Sequence, residues 1–247
     1  YNQTSFLIDR KIKRNGANFD LNPFSKEEEE LIGLNTNFRN SLFFNRGKQH
    51  HSTTYSFLLN ESQNLLSVGS VAAKNQSHQV QYQHLVKKSW LFNFSGSTTS
   101  TESTSENYPN RNFEIDGYQI EPKIGYLFSK NASWDIFYEF QQKENQIGAF
   151  ETLKQTRLGT SFTFNSEKGF SMNGEFSMYN NTYDGNALSA VGFQMLEGLQ
   201  PGKNQTWRLL LQKNLTQYLD VNINYQGRNS ETSKTIHTGN IQLRAFF

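Results

Sequence analysis

Hydrophobic and polar residues alternate along most of the chain, and the pattern is clearest over 219–247. Across 219–227 the odd positions hold an apolar residue, an aromatic residue or Gly, and the even positions hold Asp220, Asn222, Asn224 and Gln226. The alternation resumes over 236–247. A period of two is typical of a β-strand whose two faces meet different environments. The stretch therefore predicts two neighbouring strands joined by a polar turn.

Similar runs occur through the rest of the chain and predict an all-β fold. No run approaches the roughly 20 apolar residues of a membrane helix, but the alternating runs are long enough for tilted strands to cross a bilayer. A weaker first run lies around Thr4, Phe6 and Ile8. Together with it, the alternating runs predict an antiparallel up-and-down transmembrane β-barrel of about 12 strands over 1–247. The other strands are predicted at 36–46, 50–61, 66–86, 89–104, 113–128, 132–147, 151–165, 169–181, 204–214, 217–229 and 234–247.

The connections alternate between short and long, as they do in outer-membrane barrels, whose periplasmic turns are short and whose outer loops are longer. The short connections lie at 45–49, 87–88, 129–131, 165–168 and 215–216. The long connections 11–34 and 182–203 are predicted outer loops, and the spacing from Ser25 to Glu28 predicts a short exposed helix in the first of them. This alternation requires an even number of strands and places both chain ends in the periplasm.

Aromatic residues gather toward both ends of the predicted strands. One group lies near the short turns: Phe44, Trp90, Phe128, Trp134, Phe164, Phe170 and Phe247. A second set lies toward the other rim: Tyr118, Phe140, Met178, Trp207 and Tyr225. Two such girdles are expected where a barrel wall meets the two membrane interfaces. Pro122 interrupts one strand and cannot donate to the ladder, so a bulge is predicted there.

Composition leaves the barrel interpretation open and narrows the chemistry. The hydrophobic content of 35% and the mean hydropathy of -0.72 would also suit a soluble all-β domain. The net charge of +2 gives no reason to expect nucleic acid as a partner, and the lack of Cys removes thiolate chemistry. The five His have no ligand spacing, so no metal and no other cofactor is predicted.

No catalytic motif is present, and the chain is predicted not to be an enzyme. One enzymatic alternative stays open at this point. A barrel phospholipase needs a Ser and a His side by side on neighbouring strands facing the lipid, and His84 or His237 beside one of the many Ser would meet that description.

Charged residues on the face opposite the apolar one are predicted to line the lumen. These residues are Arg157, Arg208, Arg228, Arg244, Glu121, Asp135, Glu139 and Glu175. Twelve strands enclose a bore between that of filled eight-stranded barrels and that of open porins. Charges of both signs are expected to pair across such a bore and to leave little continuous water, whereas a lining of one sign would indicate a selective channel.

The predicted outer loop at 182–203 contains an amphipathic segment, 187–198. Its apolar helical face would consist of Leu188, Val191, Met195 and Leu196, with Gly198 as the C-cap. An apolar face of this size is expected to be buried. Short tethers keep both ends of the segment near the rim. The helix is therefore predicted to fold over the outer mouth of its own barrel, with packing against another protein as the alternative.

The end of the chain resembles the terminal signal of bacterial outer-membrane proteins. Ile241, Leu243, Ala245 and Phe247 form one face of a final strand that stops on an aromatic residue. The resemblance implies delivery to the barrel insertion machinery. It also implies a location in the bacterial outer membrane, in contact with the lipid bilayer and its lipopolysaccharide.

Three segments, 195–207, 225–228 and 237–247, resemble the C-terminal barrel region of large outer-membrane proteins of Bacteroidetes. The resemblance implies a longer parent chain with periplasmic domains upstream, and it brings no activity, because that family has no catalytic motif to carry over. The expected function is a structural anchor or an accessory subunit of a larger outer-membrane complex for secretion, uptake or barrel assembly, with other outer-membrane or periplasmic proteins as partners. A narrow porin-like channel or transporter for small solutes is the alternative.

Overall fold

The structure is a computed structural model that describes residues 1–12, 31–46, 50–66, 69–216 and 218–245. Within these residues, twelve strands follow one another in chain order, each antiparallel to the next, and form an up-and-down β-barrel. The fold class predicted from the alternation is confirmed. The strands are β1 (Asn2–Ile12), β2 (Leu31–Phe44), β3 (His51–Leu66), β4 (Gly69–Val86), β5 (Trp90–Ser105), β6 (Phe113–Ser129), β7 (Ala132–Asn145), β8 (Thr152–Ser166), β9 (Phe170–Asp184), β10 (Gly202–Thr216), β11 (Leu219–Ser230) and β12 (Ile236–Ala245).

The strands extend further into the two long connections, which were predicted to be outer loops, than the alternation predicts. The strand β2 begins inside the predicted loop 11–34, while β9 and β10 extend into the predicted loop 182–203 from its two ends. Polar residues can occupy both faces of a strand beyond the apolar belt, so the sequence alternation fades before the hydrogen-bond ladder ends. The helix predicted from Ser25 to Glu28 lies outside the described residues.

Side chains of the outer face form apolar rows around the barrel wall. One row joins Ile124, Ile136, Thr160, Phe176 and Trp207 through the register of five consecutive strands, β6 to β10. Ile124, Ile136 and Phe176 are 47%, 45% and 38% exposed. Large apolar side chains exposed side by side on a continuous surface indicate a wall that meets an apolar medium.

Side chains of the inner face are more polar and more deeply buried. The row directly beside the apolar one joins Lys123, Phe137, Gly159, Ser177 and Thr206. Phe137 is 4% exposed and Ser177 is fully buried. Gly159 is required here, because a Cβ at this position would lie 2.3 Å from Cζ of the Phe137 ring. The missing side chain lets that ring lie against the wall.

The bulge predicted at Pro122 does not form. Ile120 pairs with Phe140 and Lys123 pairs with Phe137, so the β6–β7 register is the same on both sides of the proline. The ladder only skips the bridges at the proline, whose nitrogen has no hydrogen to donate. The register shift between these strands lies instead between Leu127 and Ser129, next to the turn.

The seam of the barrel lies between its first and last strands. Each of the two strands pairs with its sequence neighbour, and no bridge joins β1 to β12 within the described residues. All ten residues of β12 are exposed. Within the same ranges, no helix is long and apolar enough to span a membrane.

Candidate functional site

The connection between β9 and β10 folds back over the inner wall and carries the helix α1 (Ala190–Leu196). The helix begins after Ser189, whose side-chain oxygen accepts a hydrogen bond from the backbone nitrogen of Gly192 at 2.9 Å. This contact satisfies one of the backbone donors that the first helical turn leaves free. The helix ends at Leu196 and is followed by Glu197, which adopts the left-handed conformation with φ 54°. The C-cap is therefore Glu197 and not the predicted Gly198.

The apolar face of α1 packs against the inner wall. Val191, Met195 and Leu196 are 6%, 0% and 1% exposed and form one cluster with Ile115 of β6 and Leu153 of β8. Burial of one such side chain contributes roughly 1.5–3 kcal/mol. The connection between β9 and β10 is thus held against the inner wall by its own apolar residues, and we call α1 and this cluster the plug.

The predicted apolar face included Leu188, and that assignment is wrong. Leu188 is 92% exposed and precedes the helix, in a turn where its backbone nitrogen donates to Oδ1 of Asn186 at 3.0 Å. The predicted helix began at residue 187, whereas α1 begins at Ala190. Without helical geometry at position 188, its side chain does not share the face of Val191 and Met195.

Two cations of the wall hold the C-terminal end of the plug helix. The ammonium group of Lys143 on β7, which is buried, donates to the carbonyl oxygen of Met195 at 3.1 Å and to the carboxylate of Glu197 at 2.5 Å. The guanidinium of Arg228 on β11 donates to the carbonyl oxygen of Gly198 at 3.2 Å. Free carbonyl groups and a partial negative charge at a helix C-terminus favour such contacts. Lys143 had no role in the predicted site.

The segment that leads from the plug back to β10 is held by the buried side-chain amides of two asparagines. Asn181 of β9 and Asn204 of β10, both 3% exposed, each donate to the carbonyl oxygen of Gln200, at 3.0 and 2.7 Å. Asn204 also accepts from the backbone nitrogen of Gln200 at 3.1 Å. Gln155 of β8 donates to Asn181 at 2.9 Å and extends this arrangement along the wall. The return from the plug is therefore anchored to both β9 and β10.

The register places all eight predicted lumen charges on the inner face, but only some of them pair. Arg157 lies at the centre of the network: it forms ion pairs with Glu139 at 3.3 Å and with Glu175, and it donates to the hydroxyl of Ser177 at 3.1 Å. Its guanidinium also lies 4.6 Å from the centroid of the Phe137 ring. These contacts join β7, β8 and β9 across the inner wall.

The prediction that the other three arginines pair with carboxylates is wrong for the described residues. Within them, Arg208, Arg228 and Arg244 form no ion pair within 4.0 Å. Arg208 lies opposite Glu175 in the register, but the carboxylate of Glu175 is occupied by Arg157.

Among the described residues, the two remaining predicted lumen carboxylates also form no ion pair with an arginine. Glu121 pairs with Lys123 at 3.5 Å, and Asp135 accepts a long hydrogen bond, 3.4 Å, from the hydroxyl of Ser161.

The histidines of the strands lie on the outer face. No group of three or more His, Asp or Glu in the described part of the chain has the geometry to hold a metal ion. A 2.8 Å hydrogen bond joins the ring of His237 to the hydroxyl of Tyr225, and a bond of equal length joins His78 to Tyr55. The partner of His237 is therefore a Tyr and not the Ser that the hydrolase alternative requires.

No family model and no curated protein matches this chain. Among solved structures, the chain is similar to the siderophore receptor PiuA from Acinetobacter baumannii, at 7% identity and a TM-score of 0.46, over 86% of this chain and 44% of the receptor. It is similar to the beta domain of the Bordetella autotransporter BrkA at 8% identity and a TM-score of 0.43, over 99% of this chain and 97% of that domain. A third similar structure is the translocator domain of the autotransporter NalP from Neisseria meningitidis, at 10% identity and a TM-score of 0.39, over 88% and 83% of the two chains. The chain thus spans less than half the length of the receptor.

Proposed function

We propose that this chain is a plugged outer-membrane β-barrel that serves as a structural anchor or accessory subunit of a larger outer-membrane complex. The observation that carries this proposal is the burial of Val191, Met195 and Leu196 of α1 on the inner wall. A barrel whose mouth is occupied by its own packed helix is suited to holding other proteins at the membrane. The complex would serve secretion, uptake or barrel assembly.

The outer face of the wall supports the placement in a membrane. Apolar and aromatic side chains cover it, and one surface concavity is lined only by Trp90, Ile124, Tyr126, Phe128, Trp134 and Ile136. The two tryptophans flank the predicted periplasmic turns, where ring systems with a polar atom suit the interface between lipid and water. Further along the same face, Gln142 and Glu144 continue β7 beyond its apolar residues toward the outer end.

The contacts on the inner face favour the anchor role and argue against a wide open pore. Arg157, Glu139 and Glu175 hold one another across three strands, while Lys143 and Arg228 hold the end of the plug. The ion pairs of Arg157 offset charge on the inner wall, and the packed helix fills part of the bore, so less water-filled space remains for a steady ion flow. The bilayer with its lipopolysaccharide, the insertion machinery and neighbouring outer-membrane or periplasmic proteins are the partners of this proposal.

The test is the conductance of the purified chain in planar lipid bilayers, before and after removal of the plug. We expect little or no steady conductance from the unaltered protein. Replacing residues 187–198 by a Gly-Ser linker of equal length should produce stable openings, because the linker cannot form the apolar cluster. Leu188→Ser is the matched control: it changes an exposed residue of the same connection and should leave the barrel closed.

A narrow channel or transporter for small solutes is the second candidate, and a specific observation favours it. A cavity of about 430 Å³ remains on the inner wall, beside the end of the plug, and it is lined in part by Arg208 and Arg228. Large and stable conductance from the unaltered protein would replace the anchor proposal with this one. Co-purification of other membrane proteins with the chain in mild detergent would support the anchor proposal, provided that these proteins are recovered only when the barrel is folded.

A further inference from the structure

The inner wall of β10, β11 and β12 contains a cavity of about 430 Å³ whose charged groups are mostly basic. Arg208 and Arg228 line it on neighbouring strands, together with the side chains of Thr206, Gln226 and Thr238. In the register, Arg208 lies opposite Gln226 and Thr206 lies opposite Arg228, so the two arginines are diagonal neighbours on one face. Diagonal positions on paired strands are within reach of long side chains.

Positive charge exceeds negative charge in the lining of this cavity, which holds two guanidinium groups and one carboxylate. Glu175 lies beside Arg208 in the register and also lines the cavity, and its carboxylate pairs with Arg157, which also binds Glu139. Within the described residues, Arg208 and Arg228 have no carboxylate within 4.0 Å. Arg228 uses one of its nitrogens to hold the carbonyl oxygen of Gly198, and its remaining donors are available to a ligand.

The donors in the cavity suit an oxyanion. A guanidinium presents a planar fork of N–H groups that matches the two oxygens of a carboxylate or phosphate group. The hydroxyls of Thr206 and Thr238 and the amide of Gln226 add uncharged donors on the same wall. Because these groups face the lumen and not the lipid, a dissolved solute reaches them and a lipid headgroup does not.

We propose that the cavity of Arg208 and Arg228 binds a small carboxylate- or phosphate-bearing solute in the lumen, next to the C-terminal end of the plug helix. Its size admits a compact anion and excludes a folded protein domain. The proposal goes beyond the anchor role and does not depend on it, since the site lies in the wall whether or not the plug moves.

Isothermal titration calorimetry on the full chain, folded in detergent at low ionic strength, tests this site with citrate and with inorganic phosphate as probes. We expect saturable binding of at least one probe, with the preferred probe identifying the group that is recognised. Arg208→Gln should weaken that binding about tenfold or more, because it removes charge-assisted hydrogen bonds. Added salt should weaken it as well, because the two guanidinium groups are exposed to the water of the lumen.

Arg244→Gln is the matched control. Arg244 also lies on the inner face, opposite Asp220, but it does not line the cavity. The Arg244→Gln substitution should change the affinity for the preferred probe by less than about twofold, since distant exposed charges are screened. Equal losses in the two variants would assign the effect to the general potential of the lumen and overturn the site. Absence of binding by both probes would also overturn it, and neither result bears on whether the unaltered barrel conducts.

Discussion

The inner wall differs between the part formed by β7, β8 and β9 and the part formed by β10, β11 and β12. In the first part, Arg157 is surrounded by Glu139, Glu175 and the hydroxyl of Ser177. In the second part, the described residues offer no carboxylate within 4.0 Å of Arg208 or Arg228. Arginine therefore binds carboxylates of the wall in the first part, whereas in the second part it faces the open lumen.

The plug helix packs against the first part of the wall and the adjoining strand β6. Its apolar residues pack on Ile115 of β6 and Leu153 of β8, and its end is held by Lys143 of β7. From the other part of the wall, Arg228 adds one exposed hydrogen bond to the carbonyl oxygen of Gly198, and Asn204 holds the return to β10 through Gln200. The two parts of the wall therefore differ: one supports the plug helix, and the other leaves charged side chains exposed to the lumen.

The largest effect is expected from a change in the plug cluster. Met195→Asp should lower the free energy of unfolding by about 4 kcal/mol, because it removes a fully buried side chain and places a carboxylate among apolar groups. Leu188→Asp, in the same connection but 92% exposed, should change it by less than about 0.5 kcal/mol. Urea titration of the folded barrel, followed by tryptophan fluorescence, measures both. Similar losses for the two variants would show that the helix is not packed on the wall as described.

A smaller effect is expected where the two parts of the wall are compared directly. Arg157→Leu should lower the free energy of unfolding by about 3 kcal/mol, because Glu139, which is 6% exposed, loses its counter-ion. Arg208→Leu should change it by less than about 0.5 kcal/mol, since no ion pair is lost. The same urea titration applies. If Arg208→Leu were the more damaging variant, the contrast between the two parts would be reversed.

The smallest effect is expected at the two cations that hold the end of the plug. Lys143→Met should lower the free energy of unfolding by about 1.5 kcal/mol, because it removes two hydrogen bonds of a buried ammonium group. Arg228→Met should lower it by about 0.5 kcal/mol, since its single contact is exposed to water. Limited proteolysis of the 185–201 connection should rank the variants in the same order. Faster cleavage in Arg228→Met than in Lys143→Met would assign the main contact to β11 instead.

Much of the barrel could be predicted from residue order alone. The period of two assigns residues such as Ile136 and Phe176 to one face and Glu139 and Arg157 to the other, and the register confirms this division. The prediction was less accurate at strand ends, as at β9 and β10, because polar residues beyond the lipid belt no longer distinguish the two faces. Three of the four predicted plug residues are buried. The prediction was wrong for Leu188 because the helix begins later in the chain than the spacing of the apolar residues indicated.

The sequence by itself determined which side of the wall each side chain occupies, since successive residues of a strand point in opposite directions. Only the tertiary structure decided which of those residues meet. Arg157 lies opposite Tyr179 in the register, yet its guanidinium reaches along the neighbouring strand to Glu175 and leaves Arg208 without that partner. Lys143 and Glu197 lie far apart in the chain and meet because the plug folds onto β7. Alternation specifies a face, whereas contact also depends on the stagger between strands and on the path of the connecting loop, and neither is encoded in a period of two.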